Sequence, residues 1–250
     1  MSSFAASVKT LSEPVGYLGG NWMLHPEVLG PCRDAGYAHG YAYYVAGRGG
    51  VLGNVDADVI TASFGFFEPK IVRAMWDIGV AVEGGAAAAA RYGAACAAFG
   101  RLRLAGFEGA DRVNELAERV AKGADVTGLP LFAGWRNQPL PDDALGRAYF
   151  LMHLLRELRG GVHLMAVVAT GLGPRAAVFA SGGETMANQF GWAGPYDDLA
   201  GVTKQAAEEL TDEILIRLYG PWLTADEVAE LAGLVAGMRA HFDAYVAADG

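Results

Sequence analysis

The segment HLLRELRGGVH, from His153 to His163, is the densest polar cluster in an otherwise apolar stretch of the chain. His153 and Glu157 are spaced i,i+4 and share one helical face, with Arg156 and Arg159 beside it. Gly160-Gly161 would allow a bend that brings His163 back toward that face. A carboxylate that orients an imidazole can move a proton, so Glu157 and His163 are the pair that would do acid–base work. Neutral imidazole and carboxylate also suit zinc or iron, but this spacing matches no established metal motif. The plain alternative is an ion-pair network of Glu157 with Arg156 or Arg159, the histidines being satisfied by backbone carbonyls.

A second cluster is aromatic. Tyr37, Tyr41, Tyr43 and Tyr44 crowd one segment with His39 among them; Trp22, Met23 and His25 precede it, and Phe64, Phe66, Phe67 and Trp76 follow. So many rings could line a pocket for a flat apolar ligand, with hydroxyls to orient it. Core packing is the competing explanation. Arg48, flanked by glycines in AGRGGVLG, could hold an anion, although this pattern follows no strand and is no phosphate loop. The candidate ligand contacts are therefore His39, Tyr41, Tyr44, Arg48, Phe67, His153, Arg156 and Arg159. There is no G-x-S-x-G elbow, Walker motif or H-E-x-x-H, and Cys32 and Cys96 have no nearby sequence partner. No cofactor and no metal are expected; a haem with His39 or His163 as axial ligand is a remote alternative.

The elements that must carry these residues read as helices. Residues 203–219 place Leu210, Ile214 and Leu218 on one stripe and their carboxylates elsewhere. Thr224 and Glu227 form a T-x-x-E capping box, which starts a last helix at Ala225 that runs to about Val246. Pro69 after Glu68 marks a helix entry, and Asp56 caps the helix through DVITASF. Residues 84–104 form an alanine-rich helix and 110–122 an amphipathic one that stops at Gly123. Asp142 or Asp143 caps a long helix, ALGRAYFLMHLLRELR, interrupted at Gly160-Gly161 and resuming as VHLMAVVATGL. Strand signal is nearly absent. The expected fold is an all-α multi-helix bundle, in two halves (1–125 and 140–250) that are joined by a proline-rich linker at about 126–141 and make one compact unit. A weak internal repeat, from His39 and again from His163, suggests that each half carries a helix-turn-helix-like unit.

With 52% hydrophobic and 19% charged residues, the 250-residue chain can bury a large core, which excludes a mostly disordered protein. Two cysteines exclude a disulfide scaffold. The start, MSSFAASVKTLSEP, lacks a basic region followed by an apolar run, and no stretch of about 20 uncharged apolar residues occurs, so a cytoplasmic protein without membrane contact is expected. Residues 176–250 hold three cations against twelve carboxylates, which equals the net charge of −9. That acidic third repels phosphate backbones and anionic lipid.

Three segments carry a resemblance to a known family: AYYVAGRGGVLGNVDADVITASFGFFEPKIVRAMW (42–76), RELRGGVHLMAVVATGL (156–172) and QFGW (189–192), with the two C-terminal helices. The chain resembles actinobacterial helix-turn-helix proteins of winged-helix, MarR-like character and largely unassigned function. Members typically show A-G-R-A-A-P-L-G, T-A-T-F-F-x-F-x-P and R-E-x-R-G-D-G-H. Here the last motif reads Arg156-Glu157-Leu158-Arg159-Gly160-Gly161-Val162-His163, without the acidic residue after the first glycine. Gly191-Trp192 runs through AGPYDDLAG into TKQAAEELTDEI, too short for a recognition helix and a β-wing, and with Asp197 and Asp198 where cations would be needed. The resemblance implies a helical ligand-binding scaffold, and the departures argue that DNA reading is lost.

The leading expectation is a protein that binds a hydrophobic or aromatic small molecule in a helical pocket, in specialised metabolism or resistance. An enzyme on the same scaffold, doing isomerisation, cyclisation or hydrolysis, is the alternative, and a transcriptional regulator the second. The partners expected are that small ligand and, at most, a second copy of the chain, with no specific nucleic acid.

Overall fold

A computed structural model describes residues 3–249. Every regular element in them is helical, with no strand among the described residues. The arrangement is organised around one helix, α9 (Ala144–Ala169), capped by Asp143, whose Oδ1 accepts from the Gly146 amide at 2.8 Å. Seven consecutive residues of α9, from Tyr149 to Leu155, are buried. A helix that is apolar all round has neighbours on every side. These are α1 (Ser3–Asn21), α6 (Gly85–Arg103), α7 (Ala110–Gly123), α8 (Pro130–Arg136) and α11 (Gln205–Tyr219). In α1 the buried stripe Val8, Leu11, Val15 and Leu18 has the 3–4 spacing of one helical face, and it packs against α9 and α12 (Ala225–Asp249).

The remaining elements form a second group of helices. They are α3 (Gly40–Gly49), α4 (Ala57–Phe64), α5 (Pro69–Glu83) and α10 (Pro174–Gln189), the last broken in its middle at Gly182 and Gly183. A turn of helix, α2 (Pro26–Leu29), links α1 to this group. The start signals hold: Asp56 and Glu68 cap α4 and α5, Pro69 opens α5, and Thr224 and Glu227 exchange the two bonds of a capping box.

Two expectations are corrected. Helix α9 runs through Gly160-Gly161 without interruption. Gly161 serves close packing: a Cβ there would lie 2.7 Å from Leu129 Cδ2. The expected linker is a structural element, because α8 lies inside it and buries Leu131, Phe132 and Trp135 against α9. Pro130, one of the prolines that suggested the linker, starts the helix. The halves share one hydrophobic core that extends from Val8 to Phe242.

Candidate functional site

Between α3, α4, α8, α9 and the end of α10 lies a cavity of about 670 Å³. That volume is in the range of small-molecule sites. One wall is aromatic: Phe64, Phe67, Tyr41 and Tyr44 make successive ring contacts at 5.7–6.5 Å, and Phe67 stacks on Phe190 at 4.4 Å. The rest of the apolar lining includes Leu129, Leu131 and Phe132, with Leu164 and Met165 of α9. The expected repeat units meet on the aromatic side. There the Glu68 amide donates to the Phe190 carbonyl at 2.9 Å, and Trp192 Nε1 donates to the Phe66 carbonyl at 2.8 Å. Tyr41 Oη donates to the Gln189 carbonyl at 3.0 Å and so ties α3 to the end of α10 over the cavity.

The polar pole of the cavity is built from residues 109 apart. Arg48 Nε and Nη2 donate to the two oxygens of Glu157 at 2.8 and 3.0 Å, a bidentate pair in which both side chains are buried. Arg48 Nη1 donates to Tyr44 Oη at 3.1 Å, its guanidinium lies 4.6 Å over the Phe64 ring, and its carbonyl accepts from Trp135 Nε1 at 3.1 Å. Arg156 Nη1 donates to Glu157 Oε1 at 2.8 Å. Burial alone would raise the Glu157 carboxyl, but the guanidinium groups of Arg48 and Arg156 overcome it and hold the carboxyl well below the usual range. Burial opposes the charge on Arg48 in the same way, and Glu157 overrides it, so both partners stay ionised. One carboxylate against two guanidinium groups leaves the pole with one positive charge.

His153 sits behind this pair, buried between Trp22 and Trp135 at ring distances of 5.1 and 4.5 Å, and does not line the cavity. Its Nδ1 is 4.0 Å from Glu157 Oε1, and among the described residues neither ring nitrogen makes a hydrogen bond of ordinary geometry, the Gly19 backbone being the further polar group that approaches the ring. Burial lowers its pKa to about 3, against the pull of Glu157, so the ring is neutral.

His163 belongs to a different network. Thr211 gives its hydroxyl proton to the Ala207 carbonyl at 2.6 Å and therefore accepts from His163 Nδ1 at 2.9 Å, which assigns the ring proton to Nδ1. Phe66 stacks on the ring at 5.8 Å, and Glu208, bonded to Arg159 at 2.7 Å, stands 3.9 Å from Nε2. Six residues along a helix turn a side chain by about 120° from its starting face. Without a bend at the glycines, Glu157 and His163 point into separate clusters, so the expected proton-transfer pair does not form.

Of the ten candidates, Tyr41, Tyr44, Arg48, Phe67, Arg156 and Glu157 line the cavity. His39, His153, Arg159 and His163 do not: His39 is exposed and caps α3, its Nδ1 accepting from the Tyr41 amide at 3.1 Å. Leu129, Leu131, Phe132 and Phe190 were missed. Their signals were the apolar LPLF inside the supposed linker and the QFGW motif. Among the described residues no group of three or more His, Cys, Asp or Glu side chains is placed to hold a metal. No single helix among them is long and apolar enough to cross a membrane; bent by 112°, α9 and α10 together have the length and composition, but α9 spends its apolar surface on the core.

No curated protein and no solved structure matches the chain. A family profile described as a helix-turn-helix family matches residues 7–200, a span that contains the whole cavity. The chain belongs to that helix-turn-helix family.

Proposed function

We propose that this protein binds one hydrophobic or aromatic small molecule in the cavity beside α9, acting in the cytoplasm in specialised metabolism or resistance and without a cofactor. The observation that carries this reading is the cavity itself, about 670 Å³, with an aromatic wall and a buried ion pair at one pole. Mostly apolar walls with a few convergent polar groups are the usual make-up of a ligand site. A plug tests it. Gly160 lines the cavity, and a Cβ there would meet only Arg156 Nη1, at 3.9 Å. Gly160→Leu therefore fills space without a backbone clash and replaces a mid-helix glycine, a change worth roughly 0.5–1 kcal/mol of added stability. Fluorescence titration with 1-pyrenebutanol should give one saturable site in the native protein and none in Gly160→Leu, whose melting temperature is equal or higher. Absence of saturable binding in the native protein, or unchanged binding in the variant, refutes the pocket.

Family membership favours a second reading, a transcriptional regulator. The chain's own features speak for a member whose recognition helix and wing are shortened and whose DNA reading is lost. Residues 190–204 contain only one short 3₁₀ turn, Asp197–Leu199, and Arg175, the only cation of α10, is paired with Asp198 at 3.0 Å. Arg112 and Arg119 of α7 are likewise bonded to Glu230 and Glu227. Phosphate contact needs free cations on one face.

A further inference from the structure

We infer that the ligand is an amphipathic monoanion, an apolar body ending in a carboxylate, and that Arg156 is the residue that receives the charge. The inference rests on the pocket reading above and adds the ligand's chemical class. Three observations carry it. First, the ionised groups facing the cavity are Arg48, Arg156 and Glu157, so an uncharged occupant that displaces water from Arg156 would leave one positive charge without a counter-charge. Second, the hydrogen-bonding capacity left over at this pole is on the donor side. Glu157 already accepts three bonds. Arg156 uses one of its five N–H donors among the described residues, and its side chain keeps 28% exposure. Tyr44 Oη accepts from Arg48, while its own proton has no acceptor among the described residues. Third, Arg48 is fixed by Glu157, Tyr44 and Phe64, which leaves Arg156 as the cation able to turn a planar fork toward an incoming carboxylate. The aromatic wall and Leu164 then take the apolar body.

A matched pair of probes separates charge from shape: 1-pyrenebutyrate and 1-pyrenebutanol share the same body and differ in the terminal group. Native protein should bind the carboxylate about tenfold more tightly than the alcohol, a difference of roughly 1.4 kcal/mol. Arg156→Gln should erase that preference while leaving alcohol binding in place. Arg156→Lys should retain part of it, and Tyr44→Phe should reduce it. Gly160→Leu should abolish binding of both probes, which places the event in this cavity. Equal affinities in the native protein, or a preference that survives Arg156→Gln, overturn the anion assignment while the pocket stands. Failure of both probes to bind overturns the pocket reading and this inference together. Should Arg156→Gln melt below the assay temperature, the native ratio and the Lys variant decide the question alone.

Discussion

Removing the negative charge of Glu157 tests whether the ion pair organises this site. In Glu157→Gln the side-chain shape is nearly kept, and one oxygen can still accept from Arg48. What is lost is the partner of a buried guanidinium. Glu157 accepts three charge-assisted bonds at 2.8–3.0 Å, and Arg48 and Glu157 are only 6% and 2% exposed, so water cannot take over. Breaking such a pair from one side costs about 3–5 kcal/mol, because the remaining charge stays buried. For a chain of this length that is a fall of roughly 6–20 °C in melting temperature. Replacing both partners, as in Arg48→Met with Glu157→Leu, should recover most of the loss, since paired burial is close to neutral against apolar packing. The pH dependence has a definite sign. The folded carboxyl lies below its unfolded value of about 4.3, so its contribution is complete above that pH and fades as the pH falls further. The gap between native protein and Glu157→Gln must therefore narrow on acidification. Calorimetric melts at pH 7 and at pH 3.5–4 measure both effects. A single variant within about 1 kcal/mol of the native protein at pH 7, or a gap that widens in acid, would refute the reasoning.

Other consequences follow from the same contacts. His163→Ala should cost roughly 1–3 kcal/mol, because it removes the donor to the buried Thr211 oxygen and empties the space under Phe66, while probe binding in the cavity is unchanged; lost binding at retained stability would contradict this placement. His153, lowered to about 3, stays neutral in the fold while the unfolded ring gains a proton below about 6.5, so it subtracts stability progressively as the pH falls from there. His153→Leu should remove that part of the pH dependence and cost little at pH 7, since among the described residues the ring makes no hydrogen bond of ordinary geometry and only the Gly19 backbone approaches it; a loss above about 2 kcal/mol would show that this approach is a full hydrogen bond. Selection from a randomised duplex library at physiological salt should enrich no sequence. Enrichment of one site with affinity near the ~10⁻⁸ M of specific regulators would restore the regulator reading.

Helix starts were legible from the sequence because a cap is a local event: Asp56, Glu68, Asp143, Thr224 and Glu227 each bond to backbone within three residues. Membership of the cavity was partly legible for the same kind of reason, since Tyr41, Tyr44 and Phe67 are amphipathic or aromatic residues close together in the chain. What the periodicity of α9 could not reveal was which face meets which partner. Arg156 and Arg159 were equal candidates to neutralise Glu157 on spacing, yet its bidentate partner is Arg48, which α3 delivers from 109 residues away, while α11 claims Arg159 through Glu208. Gly160-Gly161 read as a hinge because glycine tolerates bends. The long helix continues through them because Leu129 packs against Gly161, and the tertiary neighbours on every side of α9 outweigh a propensity cost of about 1 kcal/mol per glycine. That straightness, a property of packing and not of the local residues, separates Glu157, which lines the cavity, from His163, which does not, where proximity in sequence suggested a proton-transfer pair.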